Sequence, residues 1–330
     1  MARVVRFHKF GGPDVLQIDD IPARAPGQNE IRLKVVAIGL NRAECLFREG
    51  KYLERPRELP SLIGYEASGV IDAIGEGVTG FEVGDKVSTI PSFPMSKYGV
   101  YGDYCIVPAI SVSHFPDNLS FEQAASIWMQ YLTAYGALIQ YSRIMPGDYV
   151  LITAASSSVG YAAIELTKAK GATCIATTRA QDKKQRLLDA GAHHVIVTDE
   201  EDLVARVNDI TKGHGADVIL DPVAGPFIKK LAEAAASGGV IYEYGNLSLS
   251  DTPFPMFQAL NKGLMVRGYS MFEVTSKPDR LERARNFVYN GLKSGALKPV
   301  IDRVFPLEQL ADAHRYMESN VQHGKILVKV

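Results

Sequence analysis

The chain has 330 residues, of which 46% are apolar and 22% charged, and this composition excludes disordered, collagen-like and coiled-coil proteins. The length predicts two domains rather than one. A formal net charge of −1 provides no overall field that would attract nucleic acid or an anionic membrane, so we expect small molecules as partners.

The cysteines Cys45, Cys105 and Cys174 are spaced too widely for a disulfide framework or a Cys-x-x-Cys motif, which favours a reducing compartment. No segment approaches the roughly 20 apolar residues of a membrane span. The alternating N-terminus is not typical of a signal peptide. We therefore expect a cytoplasmic protein that has neither a membrane nor a nucleic acid as partner.

The first part of the chain predicts a compact β-rich domain over residues 1–125, because short alternating or β-branched runs are separated by Gly and Pro. Ser120 is suited to cap a helix that starts at Phe121 and continues towards Tyr141, which places the first boundary here. The predicted strands are Val4–Phe7, Val15–Ile21, Ile31–Ile38, Gly69–Ile74, Lys86–Ile90 and Tyr104–Val107.

The middle of the chain alternates strands with helices, which predicts the parallel, doubly wound sheet of a Rossmann domain over residues 126–268. The predicted strands are Tyr149–Ala154, Cys174–Thr178, His194–Val197, Val218–Asp221, Val240–Tyr244 and Met265–Tyr269. The predicted helices are Ser158–Lys170, Lys183–Ala190, Leu203–Thr211 and Phe227–Ala236.

The last segment, residues 269–330, is predicted to return to the first domain, which is then discontinuous. It carries helices at Arg280–Leu292 and Leu307–Met317. Strands at Val300–Val304 and Lys325–Val330 are suited to complete the first sheet. The predicted fold class is α/β, with a β-rich domain and a Rossmann domain.

A turn of small residues joins the first Rossmann strand to its helix. The three fingerprint positions of a dinucleotide site fall at Ala155, Ser157 and Gly160, and only the last is glycine. Small side chains still let the backbone approach a pyrophosphate at the helix N-terminus. The alternative is a Ser-capped helix without a ligand. The predicted pyrophosphate site consists of Ala155, Ser156, Ser157, Ser158, Val159 and Gly160.

The end of the second Rossmann strand, Thr178-Arg179, has a cation where an acidic residue would bind the ribose hydroxyls of NAD. An arginine can pair with a 2′-phosphate, and Lys183 can add a second charge. The alternative is that Lys183 lies on the solvated face of the next helix. Thr178, Arg179 and Lys183 therefore predict NADPH as the cofactor.

Five short motifs extend across the first 90 residues: Gly11-Gly12-Pro13, Gly39-Leu40-Asn41-Arg42-Ala43-Glu44, Gly64-Tyr65-Glu66-Ala67-Ser68-Gly69-Val70, Gly75-Glu76-Gly77-Val78 and Val83-Gly84-Asp85-Lys86-Val87. With the turn described above, they make the sequence resemble the medium-chain dehydrogenase/reductase superfamily, specifically its zinc-free, zeta-crystallin-like quinone oxidoreductase branch. The resemblance implies a GroES-like catalytic domain beside the Rossmann domain.

Zinc-dependent relatives carry metal ligands at the positions that match Asn41, Tyr65 and a residue near Met129. None of these side chains is a thiolate, imidazole or carboxylate, the donors that zinc takes, so no metal is predicted. Glu66 persists from the same motif, and we expect it to be structural.

Without a metal to polarise a carbonyl, the acceptor must be activated by conjugation, which favours a quinone, an enone or an enal. The resemblance implies that Asn41 anchors the acceptor, that Tyr52 donates a proton and that Thr133 packs at the nicotinamide ring. The alternatives are a turn residue, an exposed loop aromatic and a buried hydroxyl.

The resemblance also implies cofactor contacts by Val223, after the fourth Rossmann strand, and by Gly245 and Asn246, after the fifth. The apolar edge segment near Leu264 to Tyr269 predicts a homodimer, because an unpaired sheet edge favours pairing with a second copy.

The leading hypothesis is an NADPH-dependent, zinc-independent oxidoreductase that transfers a hydride to a quinone or an α,β-unsaturated carbonyl. One alternative is a zinc-type alcohol dehydrogenase. The other is a non-catalytic NADPH-binding relative with a structural or RNA-binding role, which no aromatic-basic patch supports.

Overall fold

The computed structural model describes residues 1–330, and the chain divides into two compact units. The first unit consists of residues 1–129 and 299–330, and the second of residues 130–298. The first boundary therefore lies at 129/130 rather than 125/126. The chain re-enters the first unit at 299 rather than 269.

Residues 269–298 remain in the second unit because their apolar side chains are buried there. The Tyr269 hydroxyl donates to the Leu132 carbonyl at 3.3 Å. The ring of Phe287 packs on that of Tyr135 with centroids 5.1 Å apart. An amphipathic helix can bury its apolar stripe against either domain, and its periodicity does not distinguish them.

Residues 1–127 form mostly strands, connected by loops and short helices. The β3 strand illustrates the cause, because its alternate residues Ile31, Leu33 and Val35 are buried while Lys34 is exposed. The elements are β1 (Ala2–Phe7), β2 (Leu16–Ile21), β3 (Glu30–Gly39), α1 (Arg42–Arg48), β4 (Ser61–Leu62), β5 (Glu66–Ile74), β6 (Lys86–Thr89), α2 (Met95–Tyr98), β7 (Tyr104–Pro108), β8 (Val112–His114) and α3 (Phe121–Ala124).

The next segment begins with a helix that spans the first boundary. It is α4 (Trp128–Tyr135), continued directly by a π-helical turn over Gly136–Tyr141, so the predicted helix from 121 to 141 is interrupted once, between α3 and α4. The Rossmann elements follow as β9 (Tyr149–Ile152), α5 (Ser158–Ala169), β10 (Thr173–Thr178), α6 (Lys184–Asp189), β11 (His194–Val197), α7 (Leu203–Thr211), β12 (Ala216–Asp221), α8 (Ile228–Ala234), β13 (Ala235–Glu243), α9 (Met256–Lys262), β14 (Met265–Gly268), α10 (Phe272–Thr275) and α11 (Pro278–Lys293).

The second unit contains the parallel sheet that the alternation predicts, in the order β11-β10-β9-β12-β13-β14. The fold class is confirmed. The strand order reverses between β9 and β12, the place where such sheets bind ligands beyond the carboxyl ends of their strands. Leu151, Ile175, Ile219 and Ile241 are fully buried because helices cover both faces of the sheet.

Two differences from the prediction lie on the β14 side of the sheet. The predicted helix Phe227–Ala236 ends at Ala234, and β13 begins at once at Ala235 instead of at Val240. Helix α9 was not predicted, because none of its residues is buried and it has no apolar stripe of helical period facing a core.

The final segment adds β15 (Ile301–Pro306), α12 (Leu310–Glu318) and β16 (Lys325–Lys329). Strand β16 pairs antiparallel with β3, as predicted for the closing strands, in a 7-stranded sheet with the path β15-β16-β3-β5-β6-β8 and with β7 on β3. A 3-stranded sheet, β2-β1-β4, completes the first unit. No helix of the protein combines the length and the hydropathy needed to cross a membrane.

Candidate functional site

The phosphate turn, residues 154–160, connects β9 to α5 in the second unit. Ser157 is the N-cap of α5, and its Oγ accepts the Gly160 N–H at 3.1 Å. A Cβ at Gly160 would lie 2.3 Å from the Ala155 carbonyl oxygen, so only glycine lets the helix start so close to the turn. Ala154 has φ +45°, a strained value for a non-glycine residue of the kind that concentrates at ligand sites.

The helix N-terminus at this turn presents hydrogen-bond donors. The first amides of a helix have no intrahelical acceptor, and those of Ser158 and Val159 make no backbone hydrogen bond elsewhere. Amides of this kind, together with the positive end of the helix dipole, bind phosphate groups.

Two cations follow β10, close to the phosphate turn. Arg179 is exposed directly after Thr178, whose Oγ1 accepts the Ala180 N–H at 3.4 Å. Lys183 is only 9% exposed, and its Nζ donates to Ser156 Oγ at 3.4 Å. Lys183 therefore lies against the phosphate turn and not on a solvated helix face. No carboxylate is present at the end of β10 to bind ribose hydroxyls.

The loops after β12 and β13 lie at the same edge of the sheet and are bonded to each other. The Ser248 N–H donates to the Val223 carbonyl at 2.9 Å. A Cβ at Gly245 would approach the Pro222 carbonyl oxygen to 2.9 Å, which explains the glycine. Asn246 is exposed, and its Oδ1 accepts from Ser248 Oγ at 3.2 Å.

A buried carboxyl pair ends the neighbouring strands β12 and β13. Asp221 and Glu243 are paired in register. Asp221 accepts from the Thr153 hydroxyl and, at 2.7 Å, from the Ala224 N–H, so it does cap the turn that follows it. Burial, and then the charge of Asp221, raise the pKa of Glu243 to about 9. Glu243 therefore keeps its proton at neutral pH.

The first unit contains a second polar site, the buried network of Asn41, Glu44, Glu66, Tyr101 and Lys325. The Lys325 ammonium is 1% exposed and donates to Glu66 Oε2 and, at 2.6 Å, to Asn41 Oδ1. The other oxygen of Glu66 accepts the Met129 N–H at 2.9 Å. Glu66 therefore has the structural contacts expected for it.

Glu44 occupies the centre of this network and is fully buried. Its Oε2 accepts the Asn41 N–H at 2.5 Å and the Tyr101 hydroxyl at 2.7 Å. Its Oε1 accepts from Asn41 Nδ2 at 3.1 Å and from the Tyr65 N–H at 3.2 Å. Burial raises the pKa of Glu44 to about 7, while these hydrogen bonds and Lys325 act in the opposite direction.

Asn41 was predicted to anchor an acceptor, but the structure uses its side chain internally. The oxygen accepts from Lys325. The nitrogen donates to Glu44 Oε1 and, at 3.2 Å, to the Gly39 carbonyl, so both of its hydrogens are used. Asn41 is the N-cap residue of α1. These contacts match the alternative prediction of a turn residue.

Tyr52 takes part in a chain of hydroxyl groups. It is half-buried, its ring meets that of Tyr65 edge-on at 6.5 Å, and the two hydroxyls are hydrogen-bonded. The Tyr65 hydroxyl also donates to Glu54 Oε2 at 3.4 Å. Burial raises the pKa of Tyr52 to about 12. Tyr52 is therefore more than an exposed loop aromatic.

Comparison with known proteins identifies the family. Residues 27–117 match the alcohol dehydrogenase GroES-like domain, and residues 190–328 match the zinc-binding dehydrogenase family. Quinone oxidoreductase 1 of Escherichia coli is 33% identical over 331 residues, 99% of either chain. The 2-haloacrylate reductase of a Burkholderia species is 29% identical over 99% of this chain and 98% of its own.

A solved structure agrees over the whole chain. The Escherichia coli quinone oxidoreductase complexed with NADPH has a TM-score of 0.92 at 32% identity and covers 100% of both chains. This chain belongs to the zinc-free quinone oxidoreductase branch of the medium-chain dehydrogenase/reductase superfamily.

One of the two matching families is named for zinc, but the residues of this chain do not fit that metal. At the metal-ligand positions, Asn41 and Tyr65 are engaged by protein groups, and Met129 offers a thioether. Zinc prefers thiolate, imidazole and carboxylate ligands.

A cluster with suitable ligand types exists elsewhere in the first unit, formed by Cys45, His314 and Glu318. Its carboxylate already pairs with the fully buried Arg48 guanidinium. Burial, with Arg48 and Arg42 nearby, lowers the pKa of His314 to about 3, and burial raises the pKa of Cys45 to about 12. The positive charge beside this cluster is therefore supplied by Arg48, which occupies the carboxylate that a metal ion would need.

Thr133 is buried on α4 of the second unit, consistent with both its predicted role and the alternative. Sequence reasoning missed Glu54, Glu243 and Lys325. A signal existed for the last two, because each charged residue is at one end of a largely apolar strand, and buried charges are rare unless paired. Glu54 lies in a loop without any such pattern.

Proposed function

We propose that this chain is an NADPH-dependent, metal-independent oxidoreductase that reduces quinones or the carbon–carbon double bond of enones and enals. The observation that carries the proposal is the phosphate turn, with Lys183 bonded to it and Arg179 beside β10. The names of the two relatives, a quinone oxidoreductase and a 2-haloacrylate reductase, support the acceptor classes.

The second unit supplies the groups that would bind NADPH. The amides of Ser158 and Val159 suit the pyrophosphate, and Arg179 with Lys183 suits the 2′-phosphate. Val223, Gly245 and Asn246, in the loops after β12 and β13, are proposed to contact the other half of the dinucleotide, and Thr133 is proposed to pack against its ring. Bound NADPH supplies the hydride.

Reduction of a conjugated double bond also requires a proton, and Tyr52 is proposed to hold it at Oη. With its pKa near 12, the phenol is protonated at neutral pH. When the Tyr65 hydroxyl turns from Glu54 and donates to Tyr52, this hydrogen bond favours the phenolate that remains after proton donation. Asn41 is proposed to position α1, because its amide has no hydrogen left for an acceptor.

We propose a homodimer that forms through β14 and α9. Strand β14 is the outer strand of its sheet, so the backbone groups on one side are available for pairing. Beside it, Phe257, Leu260 and Met265 are 78%, 73% and 58% exposed. A second copy would pair these edges and cover these side chains. Leu260→Glu should give monomers in sedimentation velocity, and a dimer that persists would contradict this interface.

The proposed compartment is the cytoplasm, because all three cysteines are unpaired and buried. The proposed partners remain small molecules, with neither nucleic acid nor membrane among them, given the net charge of −1.

The decisive experiment titrates the purified protein with NADPH and NADH and then follows cofactor oxidation with a quinone, an enone, an enal and a simple ketone. We expect binding of NADPH in preference to NADH and turnover of the conjugated acceptors only. Equal affinity for the two cofactors would contradict the assignment of Arg179 and Lys183. Tight NADPH binding without turnover of any acceptor would favour the non-catalytic alternative.

A further inference from the structure

The hydroxyl of Tyr52 is the first member of a chain of polar groups in the first unit. The ring of Tyr52 meets that of Tyr65 edge-on with centroids 6.5 Å apart, a hydrogen bond from the Tyr65 hydroxyl lowers the pKa of Tyr52 against the larger effect of burial, and the Tyr65 hydroxyl also reaches Glu54 Oε2 at 3.4 Å. Glu54 is half-buried, so the chain connects the half-buried phenol of Tyr52, through the buried Tyr65, to a carboxylate with access to solvent.

Glu54 is held firmly in this position. Its Oε2 accepts the Met95 N–H at 3.0 Å, and its Oε1 accepts the Ser96 N–H at 3.1 Å and the Ser96 hydroxyl at 2.7 Å. These donors belong to the short helix α2 and hold the carboxylate through three hydrogen bonds. The geometry fixes one carboxylate oxygen toward Tyr65.

Tyr65 is likewise fixed at both ends. Its backbone N–H donates to Glu44, and its ring packs on Phe93 with centroids 5.8 Å apart. The residue is 1% exposed, so its hydroxyl has no direct contact with water. The charged groups that act on the two phenols are Glu44 and Glu54, and both oppose ionisation. The phenolate of Tyr52 is therefore unstable, and Tyr52 needs a proton to replace the one that it gave.

We propose that Tyr65 and Glu54 form a proton relay that reprotonates Tyr52 during enone reduction, an inference that rests on the proposed function. An enone that has accepted a hydride carries its charge as an enolate. The Tyr52 O–H bond breaks as the proton moves to the α-carbon. The Glu54 carboxylate takes up a proton from hydronium in the solvent and passes it to the Tyr65 oxygen as the Tyr65 proton moves to Tyr52, so both phenols and the carboxylate are restored. Tyr65 thus uses the metal-ligand position of zinc-dependent relatives for proton transfer.

The test compares Tyr65→Phe, Glu54→Gln and the wild type with two acceptors. An enone needs a proton on carbon, whereas a quinone can leave as a hydroquinone anion that is protonated in water. We expect both variants to lose about tenfold or more in kcat for the enone, within the range of general acid catalysis. NADPH affinity and quinone turnover should remain within about twofold of wild type.

Buffer rescue separates a relay from a merely structural role. Small proton carriers such as imidazole should accelerate enone reduction by both variants in proportion to their concentration and leave the wild type unchanged. A packing defect would not respond to buffer. Tyr98→Phe is the matched control, because Tyr98 packs on the same Phe93 ring, at 6.2 Å, outside the chain of hydroxyls.

Enone rates equal to wild type in both variants would overturn the relay, as would losses that buffer does not rescue. If the wild-type protein neither bound NADPH nor reduced a quinone, the proposed function would fail instead of the relay. Glu54→Gln keeps the Tyr65 ring in place and provides a second variant if Tyr65→Phe unfolds.

Discussion

The phosphate turn and the buried network are both polar sites, but they are assembled in opposite ways. The turn uses consecutive residues whose geometry is set by a helix cap and one glycine. The network joins Lys325 to Asn41 and Glu66, which are 284 and 259 residues away in the chain. The turn leaves donors unsatisfied for a ligand, whereas the network satisfies its charges with each other.

This difference separates groups that bind a ligand from groups that stabilise the fold. Groups that the protein leaves unpaired at the end of a sheet should affect ligand affinity when changed. Groups that are buried and mutually paired should affect folding, because removing one partner leaves a charge without compensation.

The largest expected effect is on the network. Lys325→Met would leave the Glu66 carboxylate buried without its cation, and we expect a loss of about 3–5 kcal/mol in the free energy of unfolding. Urea denaturation followed by tryptophan fluorescence measures it. The double variant Lys325→Met with Glu66→Met should be less destabilised than Lys325→Met alone. A loss below about 1 kcal/mol would mean that the ion pair stabilises little.

The next effect concerns the cations beside the phosphate turn. Lys183→Ala should weaken NADPH binding by about 1.5–3 kcal/mol, the range for a charged hydrogen bond, while NADH affinity stays nearly constant. Fluorescence titration with both cofactors gives the two dissociation constants. Lys184→Ala is the matched control, since Lys184 pairs with Glu201 at 3.7 Å. Equal losses for NADH and NADPH would place Lys183 on the pyrophosphate instead.

Glu243 is a buried acid in the second unit, at the same carboxyl edge of the sheet as the phosphate turn. It tests whether a buried group near the ligand site affects stability. Its pKa in the folded protein, about 9, exceeds the unfolded value, so the folded state binds the extra proton. Stability should therefore fall as pH rises from about 5 to 9, with a slope of at most about 1.4 kcal/mol per pH unit. Glu243→Gln should flatten that slope in denaturation curves. An unchanged slope would show that Glu243 is ionised in the folded protein.

The smallest effect is at the cap of α5. Ser157→Ala removes the oxygen that accepts the Gly160 N–H and should cost about 1 kcal/mol of stability. Thermal unfolding measures it. Ser158→Ala is the control, since its side chain does not cap the helix. A loss of NADPH affinity larger than the loss of stability would show that the Ser157 hydroxyl also contacts the phosphate.

Features that depend on neighbouring residues could be predicted from the amino-acid sequence. Alternating strands and helices predicted the parallel sheet, and the small residues at 155–160 with Arg179 and Lys183 predicted the ligand. Backbone geometry and helix caps act over a few residues, so these patterns are legible in one stretch of chain.

Contacts between distant segments of the chain could not be predicted from the sequence and are defined by the folded structure. These include the pairing of Lys325 with Asn41, which engages the side-chain oxygen of the residue predicted to anchor the acceptor, and the contact between Tyr65 and Glu54. The tertiary structure also keeps residues 269–298 in the second unit. Side-chain packing and ion pairing depend on distances in space, and no local pattern of residues encodes which of the possible partners will meet.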